Sequence, residues 1–151
     1  MSSGPATFSY EKNKVFDELV QEQNIFESNI KLLVFCACLG YNRDRRVYDH
    51  EENAEIRWRY VERDPILPVM SASLAYAATD EPDALNDVGT QIRILVQFGA
   101  GGSRLIETQV LDQPGENLDL LIELLQEERD SDKFSDRVDI ISQIEEEVSS
   151  L

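Results

Sequence analysis

The sequence predicts a mainly α fold: a compact bundle of about five to six helices with one small β strand or hairpin around residues 45–63. Three observations support this prediction. Apolar residues recur at helical spacing in most segments, a period of two occurs in one segment only, and prolines and glycines separate the segments. Because 151 residues suffice for one core of moderate size, we expect a single helical domain over residues 11–128, preceded by a flexible N-terminus of residues 1–10.

Two helices are predicted in the N-terminal part of the chain. The segment 11–23 places its apolar residues on one face, which is typical of an amphipathic helix. A second helix is expected to begin at Glu27 or Ser28 and to end at Gly40, since glycine accepts the left-handed conformation of a C-terminal cap. Residues 30–39 are apolar nearly all round, so this helix should be central.

Further helices are predicted over 67–79, from near Pro82 to the glycine segment FGAGG at 98–102, from Ser103 as an N-cap, and over 118–128. We interpret FGAGG as a tight turn between helices, because a phosphate-binding loop would follow a strand and end in Gly-Lys-Ser/Thr. In the last of these helices five residues are expected to be buried: Leu118, Leu121, Ile122, Leu124 and Leu125.

The period of two occurs in EIRWRYVER, residues 55–63, and predicts a strand. Ile56, Trp58 and Tyr60 would share one face of this strand. Two pairing partners are open: residues 45–49 in a hairpin, or the same strand of a second subunit. The second arrangement would make the protein a homodimer.

Residues 129–151 are predicted to form an acidic linker and a C-terminal helix. The stretch RDSDKFSDR has too little apolar surface to offset the entropy cost of ordering it. The helix would present five apolar residues: Phe134, Val138, Ile141, Ile144 and Val148.

The charge composition excludes some classes of binding protein. Thirty acidic residues against fourteen basic ones give a formal net charge of -16, whereas non-specific nucleic-acid and anionic-membrane binders rely on an excess of Lys and Arg. Any DNA contact should therefore be local. The sequence shows neither an apolar run of the roughly 20 residues that span a membrane nor a signal segment, so we expect a cytoplasmic protein without membrane contact.

The sequence offers few groups for catalysis. His50 is the only histidine, which argues against a histidine-rich metal site. Cys36 and Cys38 lie within the most apolar helix, where burial raises the pKa of a thiol and disfavours a thiolate nucleophile. We therefore expect no catalytic residue, no metal and no cofactor.

Six of the ten arginines fall between residues 43 and 63, with aromatic residues interleaved. Arginine forks and aromatic faces suit phosphate contact and base stacking. Seven carboxylates share residues 43–64, however, so intramolecular ion pairs on a mixed-charge surface are the favoured interpretation, and a contact surface is the alternative. As a contact surface for a protein or for DNA, the candidate residues are Arg43, Arg45, Arg46, Arg57, Trp58 and Arg59.

The segment FESNIKLLVFCACLGYNRDRR, residues 26–46, followed by EIRW, resembles the DNA phosphorothioation-associated protein 4 family, also called Dnd system-associated protein 4. Its members resemble this chain in a phenylalanine before an apolar helix that ends in Leu-Gly-Tyr, an arginine pair and an Ile-Arg-Trp element. The resemblance extends to FGAGG and to the leucine-rich helix at 118–125, whereas the acidic extension after residue 128 departs from it.

The resemblance implies a role beside a system in which partner enzymes replace a non-bridging oxygen of the DNA backbone with sulfur and associated proteins restrict unmodified DNA. It carries over no catalytic residue. We therefore expect a non-catalytic accessory or adaptor protein for defence against foreign DNA, with proteins of the phosphorothioate modification and restriction system as partners. The alternative is a small DNA-binding regulator that uses the Arg-rich loop and strand, although a ribbon-helix-helix protein places its strand before its helices.

Overall fold

The computed structural model describes residues 6–130 and 146–149. The chain divides into two compact units, residues 1–108 and 109–151. The single domain predicted over 11–128 extends past this division.

The described residues are mostly helical, which confirms the mainly α prediction. The first unit contains β1 (Thr7–Tyr10), α1 (Lys14–Phe16) with a π-helical continuation (Asp17–Glu22), α2 (Asn29–Asn42), β2 (Ala54–Arg57), α3 (Arg59–Glu62), α4 (Leu67–Thr79), a 3-10 turn (Pro82–Leu85) and α5 (Val88–Ile106). A second π-helical segment, Glu107–Leu111, continues α5, and the second unit contains α6 (Asn117–Arg129). None of the described helices has the length and hydrophobicity needed to cross a membrane.

The two strands form an antiparallel pair with Thr7 opposite Arg57 and Tyr10 opposite Ala54. The pairing partner of β2 within the chain is thus the N-terminal strand, so the predicted hairpin with residues 45–49 was wrong. Pairing with a second subunit stays a prediction. Residues 7–10 form a strand where a flexible N-terminus was predicted. They do so because Phe8 and Tyr10 alternate with polar residues and bury their rings, at 6% and 1% exposure.

The predicted strand at 55–63 is too long, because β2 ends at Arg57 and α3 follows over Arg59–Glu62. In helical geometry Trp58 and Tyr60 no longer share a face. Trp58 and Val61 are buried, whereas Tyr60 is 50% exposed.

Helices α2 and α5 cross at glycines that the sequence analysis had assigned to helix ends. Gly40 lies inside α2, and residues 98–102 lie inside α5, so the predicted stop at Gly40 and the predicted turn at FGAGG were wrong. A Cβ atom on Gly102 would overlap the backbone carbonyl of Cys36, and one on Gly40 would overlap that of Phe98. These glycines therefore allow the backbones of α2 and α5 to approach each other closely, because glycine has no Cβ atom. Helix α2 ends near Asp44, whose φ of 56° is left-handed.

Several helix bounds follow the sequence signals. Ser28 caps α2 by accepting a hydrogen bond from the Lys31 N–H at 3.3 Å, and α4 has its predicted bounds. Helix α5 begins after Asp87, which accepts from the Thr90 N–H at 3.2 Å. The helix predicted from near Pro82 therefore starts late, and Pro82–Leu85 is a 3-10 turn.

In the second unit, α6 confirms the helix predicted over 118–128. Only two of its five predicted core residues, Leu121 and Leu124, are buried, whereas Leu118, Ile122 and Leu125 are more than 40% exposed. Most of the predicted C-terminal helix lies outside the described residues, of which 146–149 are helical.

Candidate functional site

The arginine loop, residues 43–46, follows α2 and is held against α5. The Arg45 carbonyl packs so closely on Gly101 that a Cβ atom there would overlap it. The Val47 N–H donates to the Gln97 carbonyl at 3.1 Å. The backbone of the loop is thus fixed by packing, and the Arg45 side chain is exposed.

Arg46 uses its guanidinium within the protein. Its Nε donates to Gln97 Oε1 at 2.8 Å, and its Cζ lies 4.7 Å from the Tyr48 ring centroid and 5.2 Å from that of Phe98. Cation–π contacts and the hydrogen bond attach the side chain to α5. The structure therefore gives Arg46 a role in holding the loop.

The other candidate arginines lie at the opposite end of α2. Arg57 lines a cleft together with Lys31, which is in the first turn of α2, whereas the arginine loop follows the last turn. Fourteen residues of α helix span about 20 Å. The structure therefore does not bring the predicted candidates together as one patch, and the Arg59 guanidinium lies against Tyr60, 5.5 Å from the ring centroid.

Trp58 belongs to the core. It is 4% exposed, and its ring meets the Phe8 ring edge-on with centroids 6.1 Å apart. Base stacking needs an accessible aromatic face, so the position of Trp58 does not fit the predicted contact role.

Intramolecular ion pairs do not account for the exposed arginines either. Within the part of the chain that the structure describes, no carboxylate oxygen lies within 4.0 Å of the guanidinium of Arg45, Arg57 or Arg59. These three side chains are exposed and face solvent.

Sequence reasoning missed an ion pair between the buried Glu11 and the half-exposed Arg104. Glu11 is 7% exposed and accepts from Arg104 Nε at 2.9 Å, from Arg104 Nη2 at 2.6 Å and from the Glu51 N–H at 3.0 Å. The two partners are 93 residues apart in the sequence, so no local sequence pattern predicts that they form an ion pair. The hydrogen bonds from Arg104 are the main reason that the pKa of Glu11 is lowered, and Glu11 in turn raises the pKa of Arg104.

This pair fastens the segment after β1 to α5. Asn13 Nδ2 adds a hydrogen bond to Ser103 Oγ at 3.1 Å. Since both contacts join the N-terminal segment to the same end of α5, we assign them a structural role.

The Glu11–Arg104 pair predicts a pH dependence of stability. The folded pKa of Glu11 lies below its ordinary value of 4.5, so its contribution is fully present above that value and is lost as the pH falls through the folded pKa. We expect Glu11→Gln to lower the free energy of unfolding at pH 7 by about 2 kcal/mol and to flatten its decline in acid. Urea denaturation at a series of pH values measures both effects.

The matched control is Glu52→Gln, which removes an exposed carboxylate from the residue that follows Glu51. It should leave the acid decline as steep as in the wild type. An equally steep decline in Glu11→Gln would contradict the role assigned to the pair.

Burial also affects the acidity of the two cysteine thiols. It raises the pKa of the Cys36 and Cys38 thiols, which disfavours a thiolate nucleophile at either position. Among the described residues, no three or more His, Cys, Asp or Glu side chains are grouped to hold a metal ion.

Helix α4 presents a surface that the sequence analysis did not anticipate. Its segment LPVMSASLAYAAT contains no charged residue, and its outer side exposes 65% of Val69 and 41% of Tyr76. Ile66, the residue before the helix, is 60% exposed. Together with Ser73 these residues follow the 3-4-3 spacing of one helix face. We call Ile66, Val69, Ser73 and Tyr76 the uncharged face.

A family model for DNA sulphur modification system-associated protein 4 matches residues 7–143. The chain belongs to this family. The match runs from β1 past α6 to residue 143, so it covers much of the acidic extension that was expected to depart from this family. It also includes the arginine loop, the Glu11–Arg104 pair and the uncharged face of this family member. Its name links the family to DNA sulphur modification systems, and the resemblance found in the sequence is confirmed. Comparison with the curated proteins and with the solved structures finds no match.

Proposed function

We propose that this protein is a non-catalytic accessory subunit that binds other proteins of a DNA sulphur modification system. The system would modify and restrict DNA in the cytoplasm as a defence against foreign DNA. The observation that carries the proposal is the uncharged face of α4, because it gives the protein a surface suited to another protein.

The charge distribution sets this face apart from the rest of the molecule. Charged residues make up 29% of the chain, yet the 13 residues of α4 include none. Exposed apolar side chains that lie together on a folded surface mark interaction sites, and tyrosine is prominent among residues that dominate binding energy. A net charge of -16 opposes association between two copies of the chain. The face therefore favours a different protein as partner.

Val69→Asp tests the proposed surface. Val69 is 65% exposed, so the variant should keep its fold. Burying an unpaired carboxylate in the interface should weaken association with the partner at least about tenfold. Isothermal titration against each purified protein of the host's DNA sulphur modification system measures the change, and circular dichroism verifies the fold.

Asn86→Asp is the control, because it adds the same charge at an exposed position outside α4. It should bind like the wild type. Unchanged binding by Val69→Asp would remove the uncharged face from the interface. If the wild-type chain binds none of the system's proteins, the proposed function is wrong.

A second candidate function is DNA binding, which the exposed side chains of Arg45, Arg57 and Arg59 favour. Each phosphate contact would contribute a slope of about -0.9 to the dependence of log affinity on log salt concentration. Two observations argue against DNA binding through a single arginine surface. The arginines form two groups at opposite ends of α2, and the net charge of -16 repels the phosphate backbone. We expect fluorescence anisotropy with duplex DNA to show no salt-dependent binding. A slope of about -2 or steeper, abolished by replacing Arg45, Arg57 and Arg59 with alanine, would favour the DNA-binding function instead.

A further inference from the structure

The free edge of β2 lies beside a cleft. Residues Glu55, Ile56 and Arg57 all line this cleft, whose volume is about 600 Å³. Successive side chains of a strand point to opposite faces, so three consecutive residues line one cleft only if it runs along the strand's edge. The end of the π-helical segment after α1 and the first turn of α2, Ser28–Lys31, contribute other parts of the lining.

The register shows which backbone groups face this edge. The Trp58 N–H donates to the Ala6 carbonyl at 3.0 Å, so Ala6 and Trp58 form a hydrogen-bonded pair. Hydrogen-bonded and non-hydrogen-bonded pairs alternate along an antiparallel ladder. The pair Phe8 and Ile56 is therefore hydrogen-bonded, and the pairs that Glu55 and Arg57 make with β1 are not. The N–H and C=O groups of Glu55 and Arg57 consequently point away from β1.

These four backbone groups have no partner among the residues that the structure describes. Their spacing, two residues apart along a strand, matches the outward groups of another extended chain. Recognition of this kind adds a strand to an exposed sheet edge and draws affinity from main-chain hydrogen bonds.

From this geometry we propose, resting on the accessory function above, that the β2 edge binds an extended segment of a basic partner protein as a third strand. The cleft offers Val20, Ile30 and Ile56 to an apolar side chain of the segment. On the opposite face of the strand, Glu55 and Arg57 lie two residues apart, so Glu55 attracts a basic side chain and Arg57 an acidic one across the ladder. The net charge of -16 favours a basic partner over a second copy.

A proline at position 55 separates backbone recognition from side-chain recognition. Glu55→Pro removes an outward N–H and leaves the Phe8–Ile56 hydrogen bonds intact, because proline is tolerated on a free strand edge. Glu55→Ala removes the side chain and keeps the N–H. The probes are short overlapping peptides tiled over the purified proteins of the host's DNA sulphur modification system, and the intact proteins themselves. Fluorescence polarisation with the full chain measures affinity.

We expect Glu55→Pro to weaken peptide binding at least about thirtyfold, since its ring lacks the donor and obstructs the added strand. Glu55→Ala should weaken it no more than about fivefold. In the wild type, hydrogen exchange should show the Glu55 and Arg57 amides unprotected without peptide and protected with it. This readout holds whether or not Glu55→Pro folds.

The outcomes distinguish this inference from the proposed function. If the intact partner protein binds Glu55→Pro as tightly as the wild type, the accessory function stands and the β2 site is overturned. If Glu55→Pro instead abolishes a homodimer seen by sedimentation, the edge pairs two copies and the peptide site is also overturned. If the wild type binds no protein or peptide of the system, both proposals fail.

Discussion

Replacing Gly102 with alanine should lower the free energy of unfolding by about 3 kcal/mol or more, although alanine favours helix by about 1 kcal/mol. The added Cβ atom would overlap the Cys36 carbonyl oxygen and lie 2.6 Å from its carbon. Both atoms belong to the backbone of α2, so no side-chain rotation relieves the overlap. Helices α2 and α5 would have to separate, and the packing around Cys36 would be lost. The midpoint of urea denaturation measures the loss.

Gly89→Ala is the control, because it makes the same change in the same helix. The nearest atom to its new Cβ would be Asp87 Oδ1 at 3.4 Å, an ordinary contact. This variant should be more stable than the wild type by about 0.5–1 kcal/mol, since glycine loses more conformational freedom on folding. Equal effects of the two substitutions would contradict the close crossing of α2 and α5.

The glycines also show where sequence reasoning about this fold succeeds and where it fails. Apolar periodicity and N-caps are local signals, and they predicted α4, α6 and the start of α2 at Ser28. Gly40 and the FGAGG segment carry the local signal of a helix end, but their use is set by the approach of another helix. Which use applies depends on a tertiary contact that no window of sequence contains.

The β element was predictable in kind and not in partner. The alternation around Ile56 indicated a strand. Its partner β1 begins at Thr7, however, which is 47 residues before β2 begins at Ala54. The short alternation of Phe8 and Tyr10 did not stand out from a polar N-terminus. Strand pairing over such a separation is decided by the tertiary fold, in which Phe8 and Tyr10 of β1 are buried.

The sequence identified residue types of the candidate site, but it did not predict how the fold arranges them in space. Arginines between 43 and 63 are exposed as expected at Arg45, Arg57 and Arg59, but α2 separates them into two groups. The uncharged face was overlooked because an apolar segment such as 67–79 predicts burial, and only the fold shows which side is covered. The Glu11–Arg104 pair joins residues 93 positions apart.

Replacing Trp58 with alanine should lower the free energy of unfolding by about 3–5 kcal/mol. The side chain is 4% exposed and packs edge-on against Phe8, so its removal leaves a cavity at the junction of β2 and α3. Part of the loss is the aromatic pair itself, about 1 kcal/mol. Thermal unfolding followed by circular dichroism measures the change. Tyr60→Ala, which truncates a 50% exposed aromatic residue two positions later, should cost less than about 1 kcal/mol.

Tryptophan fluorescence distinguishes a core role of Trp58 from base stacking, because Trp58 is the only tryptophan in the sequence. A buried indole should emit at short wavelength, resist quenching by acrylamide and show no change when duplex or single-stranded DNA is added. A tryptophan that stacks on bases requires an accessible ring, and its fluorescence would be quenched by DNA. In that case Trp58→Ala would abolish DNA binding and leave the unfolding temperature near that of the wild type. Since only 4% of Trp58 is exposed, we expect the opposite result: lower stability of the Trp58→Ala variant and a wild-type fluorescence signal that DNA does not change.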